Sequence, residues 1–145
     1  MGLNVQITID GTDPHALADW WAETLEWVVE PTNQAFIDKM LEAGHARPDD
    51  LMEHGGTRVW KGGAAICRPE EVGTKGRQRI LFQPVPEPKT GKNRVHLDIN
   101  LDDGDKDVLR ASLEARGARF LYQASQGPHT WYTMADPEDN EFCIG

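Results

Sequence analysis

Two stretches of this chain repeat one another in kind, and that repeat limits the fold more than any other feature. Over residues 3–9, Leu3, Val5, Ile7 and Ile9 alternate with Asn4, Gln6 and Thr8; over residues 94–101, Val95, Leu97, Ile99 and Leu101 alternate with Arg94, His96, Asp98 and Asn100. A period of two marks a strand with one apolar face. Each strand leads through an acidic turn into a helical pattern. Asp13-Pro14 precedes Leu17, Trp20, Trp21 and Leu25, and the second acidic turn precedes Val108, Leu109 and Leu113, with a stop at Gly117. The registers also agree, because Gln6 lies seven residues before Asp13 and His96 seven before Asp103. A chain that spells strand, turn and helix twice implies an α+β fold with an internal repeat.

The remaining elements fill out both copies. In the first, strands are expected near residues 27–29, 57–60, 64–67 and 79–85; in the second, near 119–122, 130–134 and 141–144, with a last turn at 136–140. PVPEPKTGK at 84–92 is a stiff, exposed connector between the copies. Residues 33–55 break the pattern. Phe36, Ile37, Met40 and Leu41 have helical spacing with a stop at Gly44, and residues 47–54 suggest a further short turn of helix. This segment reads as an insertion, either a lid over a pocket or a cover for core.

Composition narrows the function classes. A length of 145 residues suits one domain, 1–145, with a first unit over about 3–86 and a second over about 93–145. The mean hydropathy is negative and no apolar run spans a bilayer, so membrane residence is not expected. The opening MGLNVQITID alternates like a strand and lacks the form of a secretory signal, which points to the cytoplasm. Cys67 and Cys143 are too few for a disulfide framework and lack the spacing of a zinc motif. The formal charge of −9 argues against a nucleic-acid partner.

Alternation also nominates a site. If the apolar faces of the strands cover the helices, Gln6 and His96 from the opening strands and Gln83 and Cys143 from the closing ones project to the opposite side, into a small-molecule pocket. The runs DPHALADWWAETLEW, ILFQPVPEPKTGKNRVHLDI and DPEDNEFCIG resemble the glyoxalase-like branch of the vicinal oxygen chelate superfamily, which includes glyoxalase I, extradiol dioxygenases and bleomycin-resistance proteins. The resemblance covers nearly the whole chain. It implies two βαβββ units forming a cupped, eight-stranded mixed sheet with helices outside, and often a homodimer. It also implies metal-ligand positions at Gln6, Gln83, His96 and Cys143, where metal-dependent relatives use histidine, glutamine or glutamate.

At those places this chain lacks the glutamates. The set is poor for magnesium or calcium, which want anionic oxygens, but His96 and a Cys143 thiolate suit a divalent transition metal such as zinc, nickel or iron. Without a metal, His96 is the candidate catalytic residue, as a general base in lyase or isomerase chemistry. Asp98 shares its strand face but stands too far along to be taken as a direct partner. True glyoxalase I activity is not expected. The competing reading is a metal-free protein that sequesters a drug-like or metabolic ligand, and a third is an assembly module docking a partner through the insertion. Trp60, Tyr122, Trp131 and Tyr132 are candidate wall aromatics, only one of Trp131 and Tyr132 facing inward; Trp131 is taken into the pocket set. His15, His45 and His54 are expected in solvent, and His129 at a loop surface or the pocket rim. Asn93 and Arg94 are expected to fix the start of the second opening strand.

Overall fold

A computed structural model describes all 145 residues and divides them into two compact units, Met1–Pro86 and Glu87–Gly145. The first contains β1 (Ile7–Gly11), α1 (Pro14–Leu25), β2 (Val28–Val29), α2 (Gln34–Glu42), β3 (Leu51–His54), β4 (Thr57–Trp60), β5 (Ala64–Cys67) and β6 (Arg79–Pro84). The second contains β7 (Leu97–Ile99), α3 (Lys106–Ala115), β8 (Arg119–Gln126), β9 (His129–Ala135) and β10 (Glu141–Ile144). With α2, β3 and β4 set aside as the insertion, each unit is βαβββ. The sheets have the same order, β1-β6-β5-β2 and β7-β10-β9-β8. In each, the first strand lies parallel to the last and the other pairs are antiparallel.

Helix α1 begins where Asp13 accepts a hydrogen bond from the Ala16 amide, with Pro14 in the first turn where its missing N–H is harmless. It ends at Glu26 in the left-handed region, φ 56°. Leu17, Trp20 and Trp21 are buried, as are Ile66, Ile80 and Phe82 of β5 and β6, which form the core of this unit. Full burial of one such side chain stabilises by about 1.5–3 kcal/mol, so this face holds helix to sheet. In the second unit Leu113 of α3 and Met134, Phe142 and Ile144 of the sheet are buried in the same way. No helix is long and apolar enough to cross a membrane.

Several boundaries differ from the sequence reading. Strand β1 starts at Ile7, not Leu3, because its ladder with β6 opens at Ile7 opposite Ile80; Leu3 and Val5 are exposed. Strand β7 likewise starts at Leu97, leaving Val95 exposed and His96 at the mouth of the strand. The cap of α3 is Asp105, which accepts from the amides of Asp107 and Val108, so Asp103 is not the counterpart of Asp13. Residues 47–54 form one short 3-10 turn, Pro48–Asp50, followed by strand β3 instead of more helix. Strand β4 pairs with β3 alone. Gly55 and Gly56, both at positive φ, make this hairpin's turn, a signal that the periodicity around it obscured.

Candidate functional site

In the second unit the β7–β10 ladder sets Cys143 directly beside Asp98. Alternation along β7 places His96, Asp98 and Asn100 on one face, and the β9–β10 ladder adds Thr133 beside Cys143, with Trp131 two residues on. His96, Asp98, Asn100, His129, Trp131 and Cys143 line a pocket of about 370 Å³. Leu97, Ile99, Phe142 and Ile144 belong to the opposite face, the last two fully buried.

His96 Nε2 lies 3.3 Å from Asp98 Oδ1. This overturns the expectation that Asp98 stands too far along the strand: the imidazole, free of the ladder at the strand's mouth, turns back over the residue two positions on. One ligand atom each from His96, Asp98 and Cys143 falls within 4.8 Å of the others. The cysteine is buried and the other two are open to solvent. Burial, and after it the Asp98 carboxylate, push the Cys143 thiol pKa up, against an opposing hydrogen bond with Thr133 at 3.5 Å. The thiol alone is therefore protonated at neutral pH and a weak nucleophile.

Tetrahedral coordination at about 2.0–2.3 Å requires ligand atoms roughly 3.3–3.7 Å apart. The imidazole–carboxylate distance of 3.3 Å already meets that requirement, and the sulfur lies within 4.8 Å of both ligand atoms. One nitrogen, one carboxylate oxygen and one sulfur suit zinc or another thiophilic divalent metal and serve magnesium or calcium poorly.

The other nominated residues lie in the first unit. The Gln6 side-chain oxygen accepts from Arg79 Nη1 at 2.7 Å, whereas Gln83 stands opposite Asp10. Gln6, one residue ahead of β1, lies four positions before Asp10, roughly 13 Å of extended chain at about 3.3 Å per residue, so Gln6 and Gln83 do not meet. Gln83 and Cys143 keep equivalent places: Gln83 lies opposite Asp10 and Cys143 opposite Asp98, and the strands end alike, the Val85 amide bonding the Gly11 carbonyl as the Gly145 amide bonds the Ile99 carbonyl. The equivalence of Gln6 with His96 is what is corrected here: His96 stands two residues before Asp98, and two before Asp10 stands Thr8.

The aromatic candidates separate. Trp131 lines the pocket, while Tyr132 faces α3, donating to Asp107 and packing edge-on against Phe120. Tyr122 is exposed, and Trp60 belongs to the insertion hairpin, edge-on to Phe36. Asn93 does fix the start of the strand: its amide donates to Glu141 and its side chain to Asn140. Two histidines correct the expectation of solvent exposure. His15 is 4% exposed and its Nε2 bonds the Trp60 carbonyl at 2.8 Å, and His54 is half-buried against Asp19. Both line a separate cleft of the first unit. Their partners come from elements distant in sequence, and local pattern carried no sign of them.

The family model for a glyoxalase-like domain matches residues 6–145. No curated protein matches the sequence significantly. Among solved structures, a genomically encoded fosfomycin resistance protein, FosX, from Listeria monocytogenes is similar with a TM-score of 0.60 at 8% identity, over 99% of this chain and 92% of that one. A glyoxalase family protein from Bacillus cereus gives a TM-score of 0.58 at 12% identity over 99% and 93% of the two chains. A glyoxalase/bleomycin resistance protein/dioxygenase family enzyme from Burkholderia phytofirmans gives 0.58 at 16% over 96% and 94%. At such identities these likenesses speak for the fold alone, and with the family match they establish that the chain belongs to the glyoxalase-like domain family of the vicinal oxygen chelate superfamily.

Proposed function

We propose that the pocket over β7, β9 and β10 is the functional centre of a cytoplasmic enzyme acting on a small organic molecule by lyase- or isomerase-type proton transfer. The observation that carries this reading is the approach of His96, Asp98 and Cys143 to within 4.8 Å at a pocket wall. Two buried free cysteines accord with a reducing compartment.

His96 is the proton-transfer residue in this reading. When Asp98 accepts the Nε2–H, the neutral ring carries its lone pair on Nδ1, and the carboxylate fixes that tautomer and stabilises the imidazolium formed when a proton is taken. A positioned base of this kind contributes about 10²- to 10⁴-fold. Trp131 supplies an aromatic wall for a flat or apolar body, and Cys143 a small, inert floor. Enolisable carbonyl compounds are the substrate class that a neutral-pH base in such a pocket would serve. Glyoxalase I chemistry on a glutathione adduct is not the expected reaction, since the glutamates that relatives use are replaced.

A divalent transition metal, when bound, would be held by His96, Asp98 and Cys143 and would supply Lewis-acid polarisation of a substrate oxygen. A FosX structure from Listeria monocytogenes contains Mn(II) with a dihydroxypropylphosphonic acid. Here the thiol favours zinc, nickel or iron over manganese. Gln6, engaged by Arg79, and Gln83, opposite Asp10, are the weaker candidates for the ligand set.

A second reading, metal-free sequestration of a drug-like or metabolic ligand, is favoured by the protonated, buried state of Cys143. Elemental analysis of native protein purified without chelator or affinity metal, repeated on His96→Ala and Asp98→Asn, separates these possibilities. Near-stoichiometric metal lost from both variants supports the metal site. Deuterium exchange into α-hydroxyketones by wild type, reduced about a hundredfold or more in His96→Ala, supports the base. Neither metal nor exchange would overturn the enzyme reading and leave sequestration.

A further inference from the structure

The cleft beside α1 in the first unit holds a second constellation that the proposed chemistry does not use. His15 and Asp19 stand one helical turn apart on α1, and His54, at the end of β3, meets both. Its Nε2 lies 2.7 Å from Asp19 Oδ2, and its ring centroid is 5.2 Å from that of His15. The buried His15 bonds the Trp60 carbonyl through its own Nε2. Carbonyl and carboxylate oxygens only accept, so in the neutral rings both Nε2 atoms carry the proton and both Nδ1 atoms are lone-pair acceptors. These groups share a cleft of about 360 Å³ with Val29, Thr57 and Trp60.

Charge decides what such a cleft receives. Glu30 and Arg79 also line it, but they bond each other at 2.9 Å, Glu30 is shared with Arg77, which does not line the cleft, and Arg79 is further held by Gln6. With both arginines committed to Glu30, Asp19 is the lining charge without an arginine or lysine partner, while the imidazoles are neutral. An anion would meet a carboxylate, two lone-pair nitrogens and no uncommitted arginine or lysine. A cation bearing several N–H groups would find acceptors for them and the ring of Trp60 beside it. The volume is at the small end of ligand pockets. We infer that this cleft is a second small-molecule site, selective for a compact organic ammonium that donates to Asp19 and to the imidazole Nδ1 atoms, its apolar body lying against Val29 and Trp60.

The alternative is that these contacts only fasten the insertion hairpin to α1. Phenethylammonium and phenylacetate, alike in size and opposite in charge, distinguish the two when the imidazole C–H resonances of His15 and His54 are followed by NMR. The ammonium should give saturable shifts and bind at least tenfold more tightly than phenylacetate. Asp19→Asn keeps an acceptor for His54 but removes the charge, and should weaken binding about five- to tenfold, the worth of a half-exposed ion pair. His54→Gln, compared by thermal melting to establish that it folds, should weaken binding as well. His96→Ala should leave it unchanged, which separates this cleft from the pocket of the second unit. The absence of saturable shifts, equal binding of both probes, or unchanged affinity in Asp19→Asn and His54→Gln would overturn the inference and leave the fastening role.

Discussion

Replacing Glu30 by glutamine tests the electrostatics of the first unit. The Glu30 carboxylate is 13% exposed and accepts from Arg77 Nε, from Arg77 Nη2 at 3.0 Å and from Arg79 Nε at 2.9 Å. Hydrogen bonds to charged groups are worth about 1.5–3 kcal/mol each. Glutamine keeps one acceptor and turns an N–H group toward a guanidinium that also donates. Because the arginine side chains are 24% and 31% exposed, water recovers part of the loss, and a net cost of about 2–3 kcal/mol is expected at pH 7. In a two-state unfolding that cost lowers the midpoint temperature by about 4–12 °C.

The pH dependence makes this test sharper. Burial alone would raise the Glu30 pKa, but the bonds from Arg77 and Arg79 outweigh it and hold the carboxyl below its ordinary value. A group depressed on folding contributes stability that is fully present above its unfolded pKa, near 4.3, and is lost as the pH falls through the lower folded value. Urea unfolding of wild type and Glu30→Gln at pH 7, and again below the folded pKa, should therefore show a wide gap that closes in acid. A gap under about 0.5 kcal/mol at pH 7, or one that stays equally wide in acid, would refute the reasoning.

Two further substitutions probe backbone and turn. Gly63 has φ +154°, and a Cβ there would stand 2.6 Å from the Phe82 carbonyl oxygen; Gly63→Ala should cost about 2–3 kcal/mol in urea unfolding, and a change under 0.5 would contradict the close approach. Asp136 is 2% exposed and its Oδ1 accepts from the amides of Glu138 at 2.9 Å and Asn140 at 3.0 Å, holding the turn between β9 and β10. Asp136→Ala should cost about 2–4 kcal/mol and speed hydrogen exchange in that turn, with Asp136→Asn retaining much of the stability; equal loss in both would show that the acceptor is not what matters.

The fold was legible because its signals are local. Alternation through Gln6 and His96 marked both opening strands, the broad apolar face at Leu17, Trp20 and Trp21 marked the first helix, and the prolines of 84–92 marked the division. The second cap was misread because three aspartates, Asp102, Asp103 and Asp105, compete within four residues, and only the helix's packing selects among them.

What the sequence alone determined is which side of a strand each residue occupies: Gln6, Gln83, His96 and Cys143 were assigned faces by a period of two. What tertiary structure decided is register. A shift of two residues leaves every side chain on its own face, so alternation is blind to whether Gln6 or Thr8 is the counterpart of His96; the ladders, with Asp10 opposite Gln83 and Asp98 opposite Cys143, select Thr8. The second unit therefore has an imidazole, a carboxylate and a thiol where the first has a hydroxyl, a carboxylate and an amide. The same holds for His15 and His54, whose partners Trp60 and Asp19 lie 45 and 35 residues away along the chain and adjacent to them only once the hairpin has packed on its helix.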